Sequence, residues 1–227
     1  MLKKTRMKKI IFIFFLIFIG CKSYQKFSNS EKENIISELD YIGNIDQKYA
    51  GVPTEQFIEK YGSDKAWKLF KIKRDSVDLE NQNRIKKLYN KYGYLGFDKV
   101  GKENTTKFWL PIQHADNDVE FQKKMLKELR KEIKKNNAGK DSYALLEDRI
   151  AINSNKKQRF GTQVTYSKDG QAIPKNGLID SVNIEKIRAE YGLPPFKDYY
   201  NDMTKMHFDF NKDHLLKKGI SEPKFYK

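Results

Sequence analysis

A mainly α-helical fold with one small antiparallel β-hairpin is what this sequence predicts, and three observations predict it. Apolar residues recur at helical spacing in most segments between residues 31 and 191. Gly, Asn and Pro punctuate those segments where helices should stop. Apolar-polar alternation, the mark of a strand, occurs only once, near residues 157–174.

Taken in order, Ser30 followed by Glu33 is a capping-box pattern that opens a first helix, with Ile35, Leu39 and Ile42 on one line. Gly43 weakens its continuation without forbidding it, and if the helix carries on, Asp46 falls on the apolar line. Phe57, Ile58 and Tyr61 suggest a short helix, Gly62-Ser63 a break, and Trp67 with Phe70 another helix. A longer one runs from about Asp75 to Tyr92 through Ile85, Leu88 and Tyr89, and stops at Gly93. Gly96 to Gly101 reads as a connecting turn, followed by a helix from about Glu103 to Ala115. Pro111 inside it removes an amide donor and crowds the Lys107 carbonyl, so a kink or break is expected just before Gln113 and His114.

Asn117 with Glu120 offers a second capping pair, for a helix packing through Phe121, Met125, Leu129 and Ile133. Lys124, Lys127, Lys131 and Lys134 stripe its outer side, which reads as a solvated face. Asp141 or Ser142 starts a helix containing Leu145, Leu146 and Ile150. From Gln158 to Tyr166 the pattern alternates, Lys168-Asp169-Gly170 is a turn, and Gln171 to Ile173 returns as a second strand. Residues 183–191 read as helix, closed by Gly192 and Pro194-Pro195; beyond Tyr200 the pattern is weak.

The opening is basic, through Lys3, Lys4, Arg6, Lys8 and Lys9, then unbroken apolar from Ile10 to Ile19, then Gly20 and Cys21. Ten apolar residues at about 1.5 Å rise cover only about half of a bilayer core of roughly 30 Å, so the run is a signal-peptide core and not a membrane span. Phe18-Ile19-Gly20-Cys21 resembles a lipobox. The expected organisation is a lipoprotein signal peptide over 1–20, a lipidated Cys21, a polar tether over 21–30 and one globular domain over 31–227. The expected place is the cell membrane or outer membrane, held by lipid. Cys21 is the only cysteine, so no internal disulfide can stabilise the exported part.

The formal charge is +15; losing the leader removes five of the 45 basic residues and none of the 30 acids, leaving +10. That balance suits anionic lipid headgroups or acidic envelope polymers. Nucleic acid is not an expected partner of an exported, tethered chain. The sequence holds no Gly-x-Ser-x-Gly and no Gly-rich phosphate loop, and no cofactor is expected. Nor does it hold a His-x-His or His-Glu-x-x-His metal motif, and no metal site is expected.

Polar residues nevertheless stand on stripes that otherwise face inward: Asp46, Asp78 with Asn81, Gln113, and Asp148 beside Arg149. Burying such groups unpaired costs several kcal/mol, so they should meet one another or line a common cleft. His114 is the one histidine in the well-patterned region and titrates in the range that proton transfer at neutral pH needs. The expected roles are His114 as acid/base, Asp148 or Asp78 orienting it, and Arg149 clamping an anionic group. Gln113, Gln158, Thr162 and Gln163 would be ligand contacts, and Asp116 a helix cap. The bland alternative is a buried hydrogen-bond network that only fixes packing.

The stretches Gln113-His114-Ala115-Asp116, Gln122, Asp148-Arg149 and Gln158 with Gly161-Thr162-Gln163 together resemble the signature of an uncharacterised bacterial family, domain of unknown function 6624. Asp46-Gln47, Asp78 with Asn81 and Tyr191-Gly192-Leu193-Pro194 are similar to its flanking pattern, and the resemblance spans about Ile36 to Tyr200. Pro111 and the long Lys/aromatic-rich segment between Asp46 and Asp78 depart from it. The resemblance implies positions and no reaction, leaving a cell-envelope hydrolase and a non-catalytic binding or scaffold lipoprotein as the two readings.

Overall fold

Ser28, and not Ser30, opens the first helix. In the computed structural model, which describes residues 24–227, α1 spans Asn29–Ala50 with Ser28 as its cap. The Ser28 hydroxyl accepts the Glu31 amide and the Glu31 carboxylate accepts the Ser28 amide. Ser28 to Glu31 has the same spacing as the expected pair, and the earlier start places Phe27 edge-on against Tyr92 at 5.4 Å. The leader and Cys21 lie outside the described residues. From Tyr24 onward the segment read as a tether is docked on the core: the Tyr24 hydroxyl donates to that of Tyr89, and the Gln25 amide to the Lys91 carbonyl.

A short α2 (Glu55–Tyr61) turns at Gly62, whose φ of 74° favours glycine, into α3 (Ser63–Tyr92). The two helices expected around Trp67 and after Asp75 are one, because no Gly or Pro interrupts residues 63–92. Helix α4 (Phe97–Gln113) absorbs the expected 96–101 turn: its one non-helical residue is Gly101 (φ 80°, ψ 166°). Pro111 does not break it. The proline sits in the last turn with helical backbone, and the His114 amide still reaches the Leu110 carbonyl at 3.1 Å.

Asp118, not Asn117, caps α5 (Val119–Lys134), accepting the Phe121 amide at 2.9 Å. Helix α6 (Lys140–Asn153) lies against it. Ile35, Leu39, Ile42, Ile85, Phe108, Ile112, Met125, Leu129 and Leu146, from α1 and α3 through α6, form the main core. Each such side chain contributes about 1.5–3 kcal/mol by burial.

The hairpin is real but short: β1 (Val164–Tyr166) pairs antiparallel with β2 (Ala172–Pro174) in the register Val164↔Pro174, Thr165↔Ile173, Tyr166↔Ala172. Residues 158–163 alternate like a strand yet form no ladder there, apart from an isolated parallel bridge between Gln158 and Leu178. Helix α7 (Ile184–Glu190) follows, and the weakly patterned tail forms α8 (Phe196–Phe210) and α9 (Lys212–Lys217). Phe196, Tyr200, Thr204 and Phe208 are its buried line. The polar Thr204 in that line hides the period, and its hydroxyl is satisfied by the Tyr200 carbonyl while accepting the Ala172 amide.

Side chains do for residues 158–163 what a sheet would otherwise do. Asp148, fully buried, accepts the amides of Arg159, Phe160 and Thr162 at 2.8, 3.1 and 2.8 Å and the Thr162 hydroxyl at 3.0 Å. From the other side Arg188, 1% exposed, donates to the carbonyls of Phe160 and Gly161 at 2.7 and 3.2 Å and to that of Pro194 at 2.7 Å. The hydroxyls of Tyr199 and Tyr200 take the carbonyls of Thr162 and Gly161. Gly161 is required here: its φ is 64°, and an added Cβ would stand 3.0 Å from Leu178 and 3.3 Å from Phe196. Asp148→Ala strips four donors of their acceptor in a fully buried place. It should cost about 3–5 kcal/mol, read as a lower midpoint in urea denaturation.

Candidate active site around His114

Three elements bring three titratable side chains together. Asp46 comes from the last turns of α1, Asp78 from the middle of α3, and His114 is the residue that closes α4. His114 Nδ1 lies 2.9 Å from Asp46 Oδ1, and the other Asp46 oxygen accepts Gln47 Nε2 at 2.9 Å. Asp46 is 2% exposed, whereas the His114 side chain retains 28%. Asp78 is half-buried beside them, and one ligand-capable atom from each of Asp46, Asp78 and His114 lies within 4.8 Å of the others.

A carboxylate can only accept, so the hydrogen bond fixes Nδ1 as the protonated nitrogen and leaves Nε2 with its lone pair whenever the ring is neutral. Burial works to lower the His114 pKa, but the hydrogen bond and charge of Asp46, with the charge of Asp78, outweigh it and hold it above the usual imidazole value; Arg149 opposes them. Burial pushes the Asp78 carboxyl up, helped by Asp46 and countered by His114 and Arg74. The cluster therefore places two carboxylates against one imidazole.

The end of α4 that carries His114 is held by amides. Gln122, fully buried, donates to the carbonyls of Ile112 and Gln113 at 3.2 Å each, and Gln113 donates to the Leu145 carbonyl at 3.3 Å. The Ile112 and Gln113 carbonyls belong to the last turn of α4, where the helix supplies no regular i+4 donors of its own. Two residues on, Asp116 forms a bidentate pair with Arg149: Nε to Oδ1 at 2.8 Å and Nη2 to Oδ2 at 2.6 Å. Asn153 adds a donor to Asp116, and Arg149 Nη1 reaches Gln163 Oε1 at 3.1 Å. Asp116 is thus a partner of Arg149 and not the cap of α5.

The residues read from the sequence separate into two groups. His114, Asp78, Arg149 and Gln163 keep partial exposure, and Arg149 is felt electrostatically at His114. Asp148, Gln158 and Thr162 are enclosed and committed to the backbone. Burial raises the Asp148 pKa against the pull of its four donors. Gln158 donates to the carbonyls of Gln163 and Lys175 and accepts the Gln163 amide. Asp148 does not orient His114; that carboxylate is Asp46. The sequence did flag Asp46, as an acid four residues after Ile42 on an apolar line. Nothing in the local pattern told which of three inward-facing acids would meet the imidazole. Arg188 was missed entirely, because a charged residue between Ile187 and Ala189 reads as a solvated position.

Replacing Asp46 by Asn keeps the volume and removes the charge. The His114 titration midpoint, followed by its imidazole proton resonances, should then fall below the wild-type value. Because the folded pKa is raised, the stabilisation from this pair is complete below about pH 6.5 and is lost as pH rises through the folded value. Asp46→Asn should therefore destabilise more at pH 5 than at pH 9, by about 1–3 kcal/mol at the acid end. Thermal melts at the two pH values measure the difference.

Comparison with known proteins adds a family and no chemistry. No curated protein and no solved structure matches the chain. A family model does match, over residues 39–207, a span holding every site residue discussed above. The chain belongs to this family, described as a family of unknown function, DUF6624.

Proposed function

We propose that this chain is an exported, lipid-anchored protein of the cell envelope and a hydrolase of a polar, anionic substrate, with His114 as its general acid/base. The observation that carries the reading is the Asp46–His114 hydrogen bond. A buried carboxylate fixes the tautomer while the ring stays open to solvent. A merely structural histidine would gain nothing from that exposure. Asp78 supplies a second carboxylate, and Arg149, held by Asp116 and Gln163 at the edge of the same region, supplies positive charge for an anionic group. The anchoring part of the reading rests on the basic and apolar leader and on Cys21. The scaffold alternative describes the other half of the motif, Asp148, Gln158 and Thr162, which hold backbone and face no open space.

A second reading is favoured by the same geometry. Asp46, Asp78 and His114 are the donor types a divalent cation takes, and such an ion would balance the excess of carboxylate and activate water. Ligand atoms about 2.1 Å from one ion stand no more than about 4.2 Å apart, so the three side chains, spread over up to 4.8 Å, would have to draw in. The acid/base reading needs no such movement, and stands first.

The test is a panel of phosphoester, carboxylester, peptide and glycoside substrates, run with the wild type and His114→Gln. The variant should lose about 10²–10⁴ in rate on whichever substrate the wild type turns over, and unchanged activity ends the acid/base assignment. Chelator sensitivity reversed by added ion selects the metal reading; indifference to chelator selects acid/base. The rate should rise with pH through a limb above the usual imidazole range, since the base is active when neutral and its pKa is raised. Arg149→Lys keeps the charge but loses the paired hydrogen bonds to Asp116 that hold it in place, and should raise KM about tenfold with little change in kcat.

A further inference from the structure

Two features of the molecule that the site does not use lie side by side. The first is the lysine face of α5. Lys124, Lys127, Lys131 and Lys134 are exposed along one side of the helix and border a groove of about 690 Å³ with Lys123, Arg130 and Tyr143. The acids of this helix are spoken for: Glu120 pairs with Lys123, Glu128 with Lys131 and Glu132 with Lys135. Lys124, Lys127 and Lys134 have no carboxylate within ion-pair distance among the described residues, so the face carries surplus positive charge.

The second is the point at which the chain enters the fold. Tyr24 is fastened by its hydrogen bond and tilted ring contact with Tyr89, and it packs on Gly93. Lys124 lies over the ring of Tyr89, to which Tyr24 is hydrogen-bonded, at 4.6 Å. The entry point therefore abuts the lysine face. Tyr24 is three residues after Cys21, and three steps of the chain span at most about 11 Å. Whatever Cys21 is attached to is confined to that distance from Tyr24.

We propose that α5 is the membrane-facing side of the protein, its stripe of Lys124, Lys127, Lys131 and Lys134 resting on anionic lipid headgroups. This rests on the lipid anchor at Cys21. An anchor on so short a leash holds the nearest cationic face against the bilayer, where each lysine adds attraction that falls off within a Debye length. Leu126 and Tyr143 line the same groove as the lysines, with Arg130 over the Tyr143 ring, so the face combines apolar surface with charged tips, which suits an interface. The beginning of α3 and all of α2 stand at the far end of a thirty-residue helix about 45 Å long. Asp78 is eleven residues from Tyr89, about 16 Å along the α3 axis, so the His114 site is displaced along the molecule from the point where Lys124 meets Tyr89.

The mature protein, isolated from membranes and reconstituted in vesicles, tests this without substitution. Brief acylation with an amine-reactive ester, read peptide by peptide by mass spectrometry, compares Lys124, Lys127, Lys131 and Lys134 with Lys60, Lys65 and Lys68 in the same molecules. In vesicles containing phosphatidylglycerol the first set should react at least about threefold more slowly than the second, and about 0.5 M salt should abolish the difference. Vesicles of phosphatidylcholine alone should show none. Equal rates for both sets in the anionic vesicles, or the same protection in both vesicle types, overturns the orientation. Intact mass separates the two premises: protein without acyl chains on Cys21 defeats the anchor and this proposal together. Acylated protein with an unprotected α5 defeats the orientation alone.

Discussion

Residues 158–163 have almost no ladder of their own, and the C-terminal third of the protein is attached through them. Asp148 gathers amides from one side and Arg188 gathers carbonyls from the other, each almost completely buried. Either charge alone in that place would be expensive. Together they satisfy backbone groups that the segment cannot pair itself. The hairpin, α7 and α8 are thereby tied to α6 through polar contacts where an apolar interface would ordinarily serve. Gly161 and the two tyrosines complete the fit.

That clamp also sets the geometry of the open region. Gln163 is the last residue under its control, fixed through Gln158, and its side chain meets Arg149, the neighbour of Asp148 on α6. One helix turn therefore presents a structural carboxylate inward and a guanidinium toward the solvent-accessible edge. Arg149 in turn holds Asp116 and so the turn that follows His114. Adjacent motif residues do different work: enclosed ones build the frame, and exposed ones face the space where chemistry could occur.

Within the His114 cluster the balance of charge matters more than any single contact. The imidazole is drawn toward its protonated form by two acids and pushed back by burial and by Arg149. A group poised in this way responds to whatever enters, since an anionic ligand or a cation would shift the same equilibrium in opposite directions. The lysine face of α5 carries a different kind of charge, solvated and outside the site, and its use depends on the short connection to Cys21.

Much was legible in the sequence because it depends on local periodicity. The line Ile35, Leu39, Ile42, Asp46 placed a buried acid on α1 correctly, Gly93 ended α3, and the mainly helical class followed from spacing alone. Helix starts were displaced by one to six residues, as at Ser28 and Phe97, because several nearby residues could cap and only packing selects among them. The long α3 was divided for want of a strong apolar stripe in its first half. The α8 helix escaped notice because a buried Thr204 interrupts its line. What only the tertiary structure decided was partnership. Asp46, Asp78 and Asp148 are equally acidic and equally inward-facing on paper. Which meets His114 and which grips backbone depends on how α1, α3 and α6 pack, and contacts between residues 68 apart leave no trace in local spacing.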